Sequence, residues 1–204
     1  MEMVLIRHGL SEANAVHRMA GHADSPLTEE GIRKIHQLKT TDIYPEVEGF
    51  YVSDLKRAVQ TAQIIYPDEE VNFQITKELR EINFGSLEDT YLDKNQASQF
   101  YSDFMNDNLT TGGEQYSDFQ KRINRVLYAI FTDTMQNQYS SIAIIAHYGV
   151  LRAILVSLEL LSEKLFFHDP IPNGMGYRIR TLESGRPVFL EELGSRENQL
   201  SYVG

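Results

Sequence analysis

Val4-Leu5-Ile6-Arg7-His8-Gly9-Leu10-Ser11-Glu12-Ala13-Asn14 is a short apolar run that ends abruptly in an arginine, a histidine and a glycine, and its polar tail reads as the opening of a helix. In open α/β sheets, ligands collect beyond the carboxyl ends of parallel strands, so this order sets Arg7 and His8 where chemistry is expected. The design returns at Ile142-Ala143-Ile144-Ile145-Ala146, a continuous apolar run of the kind a central parallel strand needs. His147-Tyr148-Gly149 follows it, then a helix burying Val150, Leu151, Ile154, Leu155 and Leu158.

Between these two units the chain alternates strand and helix patterns. Thr28 reads as an N-cap with Glu29 and Glu30 in the first turn, and Ile32, Ile35 and Leu38 share one helix face. Gly49 to Val52 is a short apolar strand, and Ser53-Asp54 is expected to open a helix that turns Leu55, Ala58, Val59, Ala62 and Ile65 inward. Lys56 and Arg57 then fall in that helix's first turn, against the helix dipole, a conflict that a bound anion would relieve. Val71 to Thr76 alternates as a half-buried strand.

Phe119, Ile123, Val126, Leu127, Ile130 and Phe131 form the core stripe of the longest helix. Tyr177 to Leu182 and Val188 to Leu193 read as two strands joined by a Glu-Ser-Gly-Arg turn and placed at the sheet's edge. The pattern predicts a three-layer α/β/α sandwich with a mostly parallel central sheet, built on the strands ending at Ile6, Val52 and Ala146. No repeat, low-complexity tract or linker divides the 204 residues, so one domain over 1–204 is expected, with a partly helical insert at about 86–112.

The net charge of -10 argues against nucleic acid or an anionic membrane as partner, since either needs a basic surface. An acidic chain that binds phosphate must concentrate positive charge in one pocket, which singles out Arg7 and Arg57. With no cysteine there is no disulfide and no thiolate metal site. The opening apolar run is too short for a signal peptide's core and no stretch is long enough to span a bilayer, so a cytoplasmic location is the expectation. No histidine or carboxylate spacing typical of metal ligands occurs, and no metal or cofactor is expected.

Arg7-His8-Gly9 with Ser11-Glu12 and Asn14 resembles the signature of the histidine phosphatase superfamily, whose branches include the cofactor-dependent phosphoglycerate mutases. Gly21 to Gly31 resembles the family's second block. The run Ser53-Asp54-Leu55-Lys56-Arg57-Ala58-Val59-Gln60-Thr61-Ala62 closely resembles a third, which places the family's phosphate-binding arginine on Arg57. The family's acid/base glutamate, four residues before a glycine, falls on Glu81, and its second histidine on His147. Three departures stand out. Glu88-Asp89 replaces a common Glu-Gly pair, Gly112-Gly113-Glu114 lacks the usual flanking proline and serine, and Tyr148 stands where a smaller residue is common.

The resemblance implies a phosphomonoesterase that works through a phosphohistidine on His8. A phosphate monoester needs an in-line nucleophile, donors around its oxygens and a proton for the leaving group. His8 supplies the nucleophile as neutral imidazole, held by an acceptor on its other nitrogen. Arg7 and Arg57 present planar donor forks and Asn14 an amide donor, while His147 is expected to add a donor as imidazolium. Glu81 must be protonated before the first step, and the bound phosphate's charge is expected to keep it so. Ser11 and Gly149 complete the expected substrate-binding set with Tyr148, whose phenol either narrows the pocket or contacts the substrate. His17, His22, His36 and His168 receive no role in the chemistry.

The expected substrate is a small phosphorylated metabolite. A phosphoglycerate mutase is the nearest alternative, but those relatives carry an Asn-x-x-Phe-x-Gly-Trp stretch and an Arg-Arg insert. This chain has no tryptophan, and residues 90–108 hold Lys94 as their only cation beside Asp93, Asp103 and Asp107. The aromatics of that segment, Tyr91, Phe100, Tyr101 and Phe104, with Met105 beside them, serve either as a substrate-facing lid or as core; core is the commoner fate. A non-catalytic phospho-ligand binder is the third reading, opposed by the intact His8 and Glu81. Nothing in the sequence addresses oligomeric state.

Overall fold

A computed structural model of the chain describes residues 1–68, 71–182 and 186–194. In chain order the elements are β1 (Glu2–Arg7), α1 (Glu12–Ala15), β2 (Arg18–Met19), α2 (Glu29–Lys39), β3 (Gly49–Ser53), α3 (Lys56–Ile65) and β4 (Phe73–Thr76). They continue with β5 (Thr90–Tyr91), α4 (Lys94–Met105), α5 (Tyr116–Gln136), β6 (Ser141–Ala146), α6 (Tyr148–Ser157), β7 (Gly176–Thr181) and β8 (Pro187–Glu192).

Six strands form one sheet in the order β4-β3-β6-β1-β7-β8, and β2 pairs with β5 in a small separate ribbon. β4, β3, β6 and β1 run parallel, while β7 and β8 close one edge antiparallel. This is the mixed, mostly parallel α/β architecture that the alternating pattern implies. The tip of the turn between β7 and β8, Glu183 to Gly185, lies outside the described residues.

The period of two in the central strands sorts their side chains between two cores. Met3, Leu5, Ile142 and Ile144 face a cluster with Phe119, Ile123, Val150 and Ile154, so α5 and α6 cover that face. Val4, Ile6, Ala143 and Ile145 face the opposite cluster with Ile35, Ala58, Ala62 and Ile65, so α2 and α3 cover the other. Burial on both faces explains why β1 and β6 are continuous apolar runs rather than alternating ones. In α4, Phe100 and Phe104 join the first core, whereas Tyr91 is exposed, so only part of the insert's aromatic content packs inward.

Two boundaries differ from the sequence pattern. Ser53 is the last residue of β3, paired with Thr76 of β4, and α3 starts only at Lys56. The Asp54 carboxylate, instead of entering the helix, receives Arg80 Nε and Nη2 at 2.7 and 2.6 Å. Val71 donates to the Asp68 carbonyl at 3.2 Å and lies outside the strand, which begins at Phe73.

Because β3, β6 and β1 are neighbours, their carboxyl ends bring Ser53, His147 and His8 together. That adjacency creates the site.

Candidate active site

His8 follows β1 directly and is almost wholly buried. Its Nδ1 lies 2.7 Å from the Gly9 carbonyl, and its Nε2 lies 3.3 Å from Nε of Arg57. A guanidinium N–H can only donate, so Nε2 is the acceptor and Nδ1 carries the proton that goes to Gly9. Burial pushes the imidazole well below the usual histidine range, and the charges of Arg57 and Arg7 push it further. The result is a neutral ring with its lone pair on Nε2.

Arg57 reaches this position from the first turn of α3. Its Nη2 and Nη1 donate to the carbonyls of Gly21 and Ala23 at 2.7 and 3.1 Å. Burial lowers its pKa to about 10, so the guanidinium stays charged at neutral pH. Thr61, one turn along, accepts from Gly9 N–H at 3.0 Å and donates to the Arg57 carbonyl at 2.7 Å, which ties the two backbone segments together. Arg7, at the end of β1, donates from Nη1 to the Ile171 carbonyl and stands 5.7 Å from the Tyr148 ring centroid. Among the described residues its buried Nε has no partner, an open donor beside His8.

His147, fully buried after β6, lies with its ring 5.1 Å from that of His8. Its Nε2 is 2.7 Å from Ser53 Oγ, and its Nδ1 has no partner among the described residues. Burial, then the neighbouring charge of Arg57, pushes this ring well below the usual histidine range, which favours the neutral form where the sequence reading expects an imidazolium beside bound phosphate. Ser53 Oγ also accepts from Leu55 N–H at 3.4 Å, and when its own proton is turned to His147 Nε2 the ring proton sits on Nδ1. A neutral His147 thus still offers one donor.

Glu81 lies on the segment between β4 and β5. Its Oε1 accepts from Ile82 N–H at 3.0 Å and Gly149 N–H at 3.1 Å, and its Oε2 from Gly149 at 3.2 Å. Gly149, expected to bind substrate, is therefore engaged with the carboxylate. A Cβ there would overlap Glu81 Oε1, so the carboxylate keeps this place only beside a glycine. Ser11, also expected to bind substrate, is fully buried as the N-cap of α1 and does not line the cavity. Asn14 does line it, its Oδ1 accepting from Asn173 Nδ2 at 3.3 Å. Tyr148 presents its ring to the cavity while its hydroxyl donates to the Asp169 carbonyl at 3.0 Å.

Arg7, His8, Arg57, Glu81, Asn14 and Tyr148 open on one cavity of about 630 Å³, far more than a phosphoryl group occupies. Its outer wall is aromatic: the Tyr101 ring from α4 and the Phe167 ring lie 4.1 Å apart, and Phe84 and Met19 line the same space. Asp89 adopts φ 56°, the left-handed region where glycine is unstrained, and Glu88 Oε1 accepts from His22 N–H at 2.9 Å.

Several residues escaped sequence reasoning. Asn173 donates to the carbonyls of His8 at 3.1 Å and Gly9 at 3.3 Å, yet Pro172-Asn173-Gly174 signals only a turn. Ser53 reads as a helix start. His22, given no role, contacts the Glu81 carbonyl through Nε2 at 2.8 Å, and His17 and His168 border the cavity. No signal short of the tertiary fold marks these. Among the described residues, no helix is long and apolar enough to cross a membrane.

Comparison with known proteins places the chain in a family. The chain is 29% identical over 182 residues, 85% of its length and 87% of the other's, to adenosylcobalamin/α-ribazole phosphatase from Salmonella typhimurium. It superposes on the α-ribazole phosphatase of Shigella flexneri with a TM-score of 0.78 at 28% identity, covering 96% of both chains. It also superposes on a phosphoglycerate mutase from Thermus thermophilus with a TM-score of 0.67 at 29% identity, covering 96% of this chain and 100% of that one. The family model of the histidine phosphatase superfamily, branch 1, matches residues 3–191, and the chain belongs to that superfamily.

Proposed function

We propose that the protein is a phosphomonoesterase in which His8 Nε2 is the nucleophile, Glu81 the general acid and base, and water the final acceptor. The contact between Arg57 Nε and His8 Nε2 carries this reading, because it assigns the lone pair to the nitrogen facing the cation. Nε2 attacks phosphorus, the ester P–O bond breaks, and Glu81 gives its proton to the leaving oxygen. Glu81 then takes a proton from water, hydroxide attacks phosphorus, and the P–N bond breaks to restore neutral His8. Arg7, Arg57 and Asn14, which line the cavity, hold the phosphoryl oxygens, an electrostatic role that needs no metal, and His147, fully buried and outside that lining, is given the part of a further donor beside His8.

Phosphatase is favoured over mutase by the leaving-group side of the cavity. A phosphoglycerate requires cations there, whereas Tyr101, Phe167, Phe84 and Met19 offer apolar and aromatic surface. Arg18, the arginine at this rim among the described residues, is paired with Asp89 at 3.3 Å. The leaving alcohol is thus taken to carry a flat ring system. The relatives named α-ribazole phosphatases make α-ribazole phosphate the first physiological candidate.

The test is hydrolysis of 4-nitrophenyl phosphate with chelator present, for wild type and His8→Ala, with acid-quench detection of phosphoenzyme. Turnover and a trapped phosphohistidine in wild type alone support the reading. Full activity in His8→Ala overturns it, and interconversion of phosphoglycerates without phosphate release would move the protein to the mutases.

A further inference from the structure

Gly112-Gly113-Glu114 and Arg122 touch neither the cavity nor the phosphate donors, yet they converge on the segment that carries Glu81. Arg122, in the second turn of α5, uses all five guanidinium N–H groups. Nε and Nη2 form a two-point pair with Glu114 at 2.8 and 2.7 Å. Nη1 donates to the carbonyls of Glu78 at 2.7 Å and Arg80 at 2.9 Å, and Nη2 also reaches the carbonyl of Glu81 at 3.2 Å. The guanidinium lies 5.0 Å from the Phe119 ring centroid, and the pair is largely buried, with side-chain exposures of 12% and 16%.

Gly113 makes the approach possible. A Cβ at Gly113 would overlap the Asn83 carbonyl, which instead accepts from Glu114 N–H at 2.8 Å. Among the described residues, the Glu81 carboxylate itself is held by two backbone N–H groups, at 3.0 to 3.2 Å, so its place relative to α6 is set by where its own backbone lies. Arg122 fixes that backbone with charge-assisted bonds, the stronger kind.

We propose that Glu114 and Arg122 are a positioning pair that sets the general acid: Arg122 holds the main chain of Glu81, and Glu114 orients and neutralises Arg122. This rests on the reading of Glu81 as the acid. Misplacing a general acid harms esters with poor leaving groups and spares those that depart without a proton. A displacement of an ångström at such a group costs on the order of a hundredfold.

The experiment measures kcat/KM, which reports the phosphorylation of His8, for butyl phosphate and 4-nitrophenyl phosphate in Glu81→Gln, Arg122→Gln and Glu114→Gln. A loss of tenfold or more on butyl phosphate with less than threefold on 4-nitrophenyl phosphate, in Glu81→Gln and in either pair variant, supports the proposal. Equal losses on both esters in the pair variants, or no loss on either, overturn it and leave a structural role. If Glu81→Gln itself lacks the leaving-group signature, the acid assignment falls and takes this proposal with it. Should Arg122→Gln not fold, Glu114→Gln, which keeps the side chain's shape and removes its charge, decides alone.

Discussion

Arg57 Nε lies 3.3 Å from Nε2 of His8, so a fixed cation marks the nitrogen that the chemistry needs free of a proton. Replacing Arg57 by Lys keeps a charge but removes the planar donor fork at this nitrogen. The expected outcome is a fall in the rate of phosphoenzyme formation of roughly a hundredfold to a thousandfold, typical for loss of one preorganised donor. Rapid-quench measurement of the phosphoenzyme burst checks it; a loss below tenfold would argue that Arg57 is mainly structural.

His8 and His147 are both buried and held neutral by desolvation, with Arg57 the next cause. Below the ordinary histidine value near 6.5, the unfolded chain takes up these protons and the folded chain does not. Stability therefore falls as pH drops through that value, by about 1.4 kcal/mol per pH unit for each histidine until the folded-state values are reached. Urea midpoints between pH 7.5 and 5.5 should decline, and His147→Gln should reduce the slope by about one histidine's share. An unchanged slope in that variant would show that His147 is protonated in the fold.

The N–H of Gly149 donates to both Glu81 carboxylate oxygens, and there is no room for a side chain between them. Gly149→Ala should push the flexible end of Glu81 aside while leaving α6 in place. Activity on alkyl phosphates is expected to drop by roughly a hundredfold. The melting temperature should move only slightly, and a large fall in it with proportional loss of activity would point to a folding defect instead.

Tyr101 and Phe167, with ring centroids 4.1 Å apart, form the wall that a leaving group meets. 2-Phenylethyl phosphate and butyl phosphate are both esters of primary alcohols, so their comparison isolates the ring. Wild type should prefer the aromatic ester by about tenfold, on the order of 1.4 kcal/mol, which is within the range of an aromatic contact and the area it buries. In Tyr101→Ala the preference should shrink toward unity, and Tyr101→Phe should restore it. Equal kcat/KM for the two esters in wild type would remove the case for an aromatic leaving group.

The site's residues were unequally visible in the sequence. Arg7 with His8, and His147, each close an apolar run, and a polar residue that ends a buried strand stands out because its neighbours on both sides obey a simple pattern. Arg57 was legible through its place in a helix's first turn, where a cation is unfavourable. Glu81 was reached through resemblance alone, since its surroundings from Glu78 to Gly85 have no periodicity.

Local chemistry in the sequence by itself determined the strands, the helix stripes and the three-layer sandwich, because each follows from spacings of a few residues and from whether one face or two must be apolar. Only the tertiary structure decided what the polar groups do. Ser53 serves His147 rather than a helix cap, Gly149 serves Glu81, and Asn173 lies 165 residues from the carbonyl of His8 that it holds. It also decided that the pKa of His147 is pushed down, since desolvation depends on what surrounds a ring on all sides and not on its neighbours in the chain. Hydrogen-bond partners and burial are properties of assembled strand ends, and a linear pattern carries no record of them.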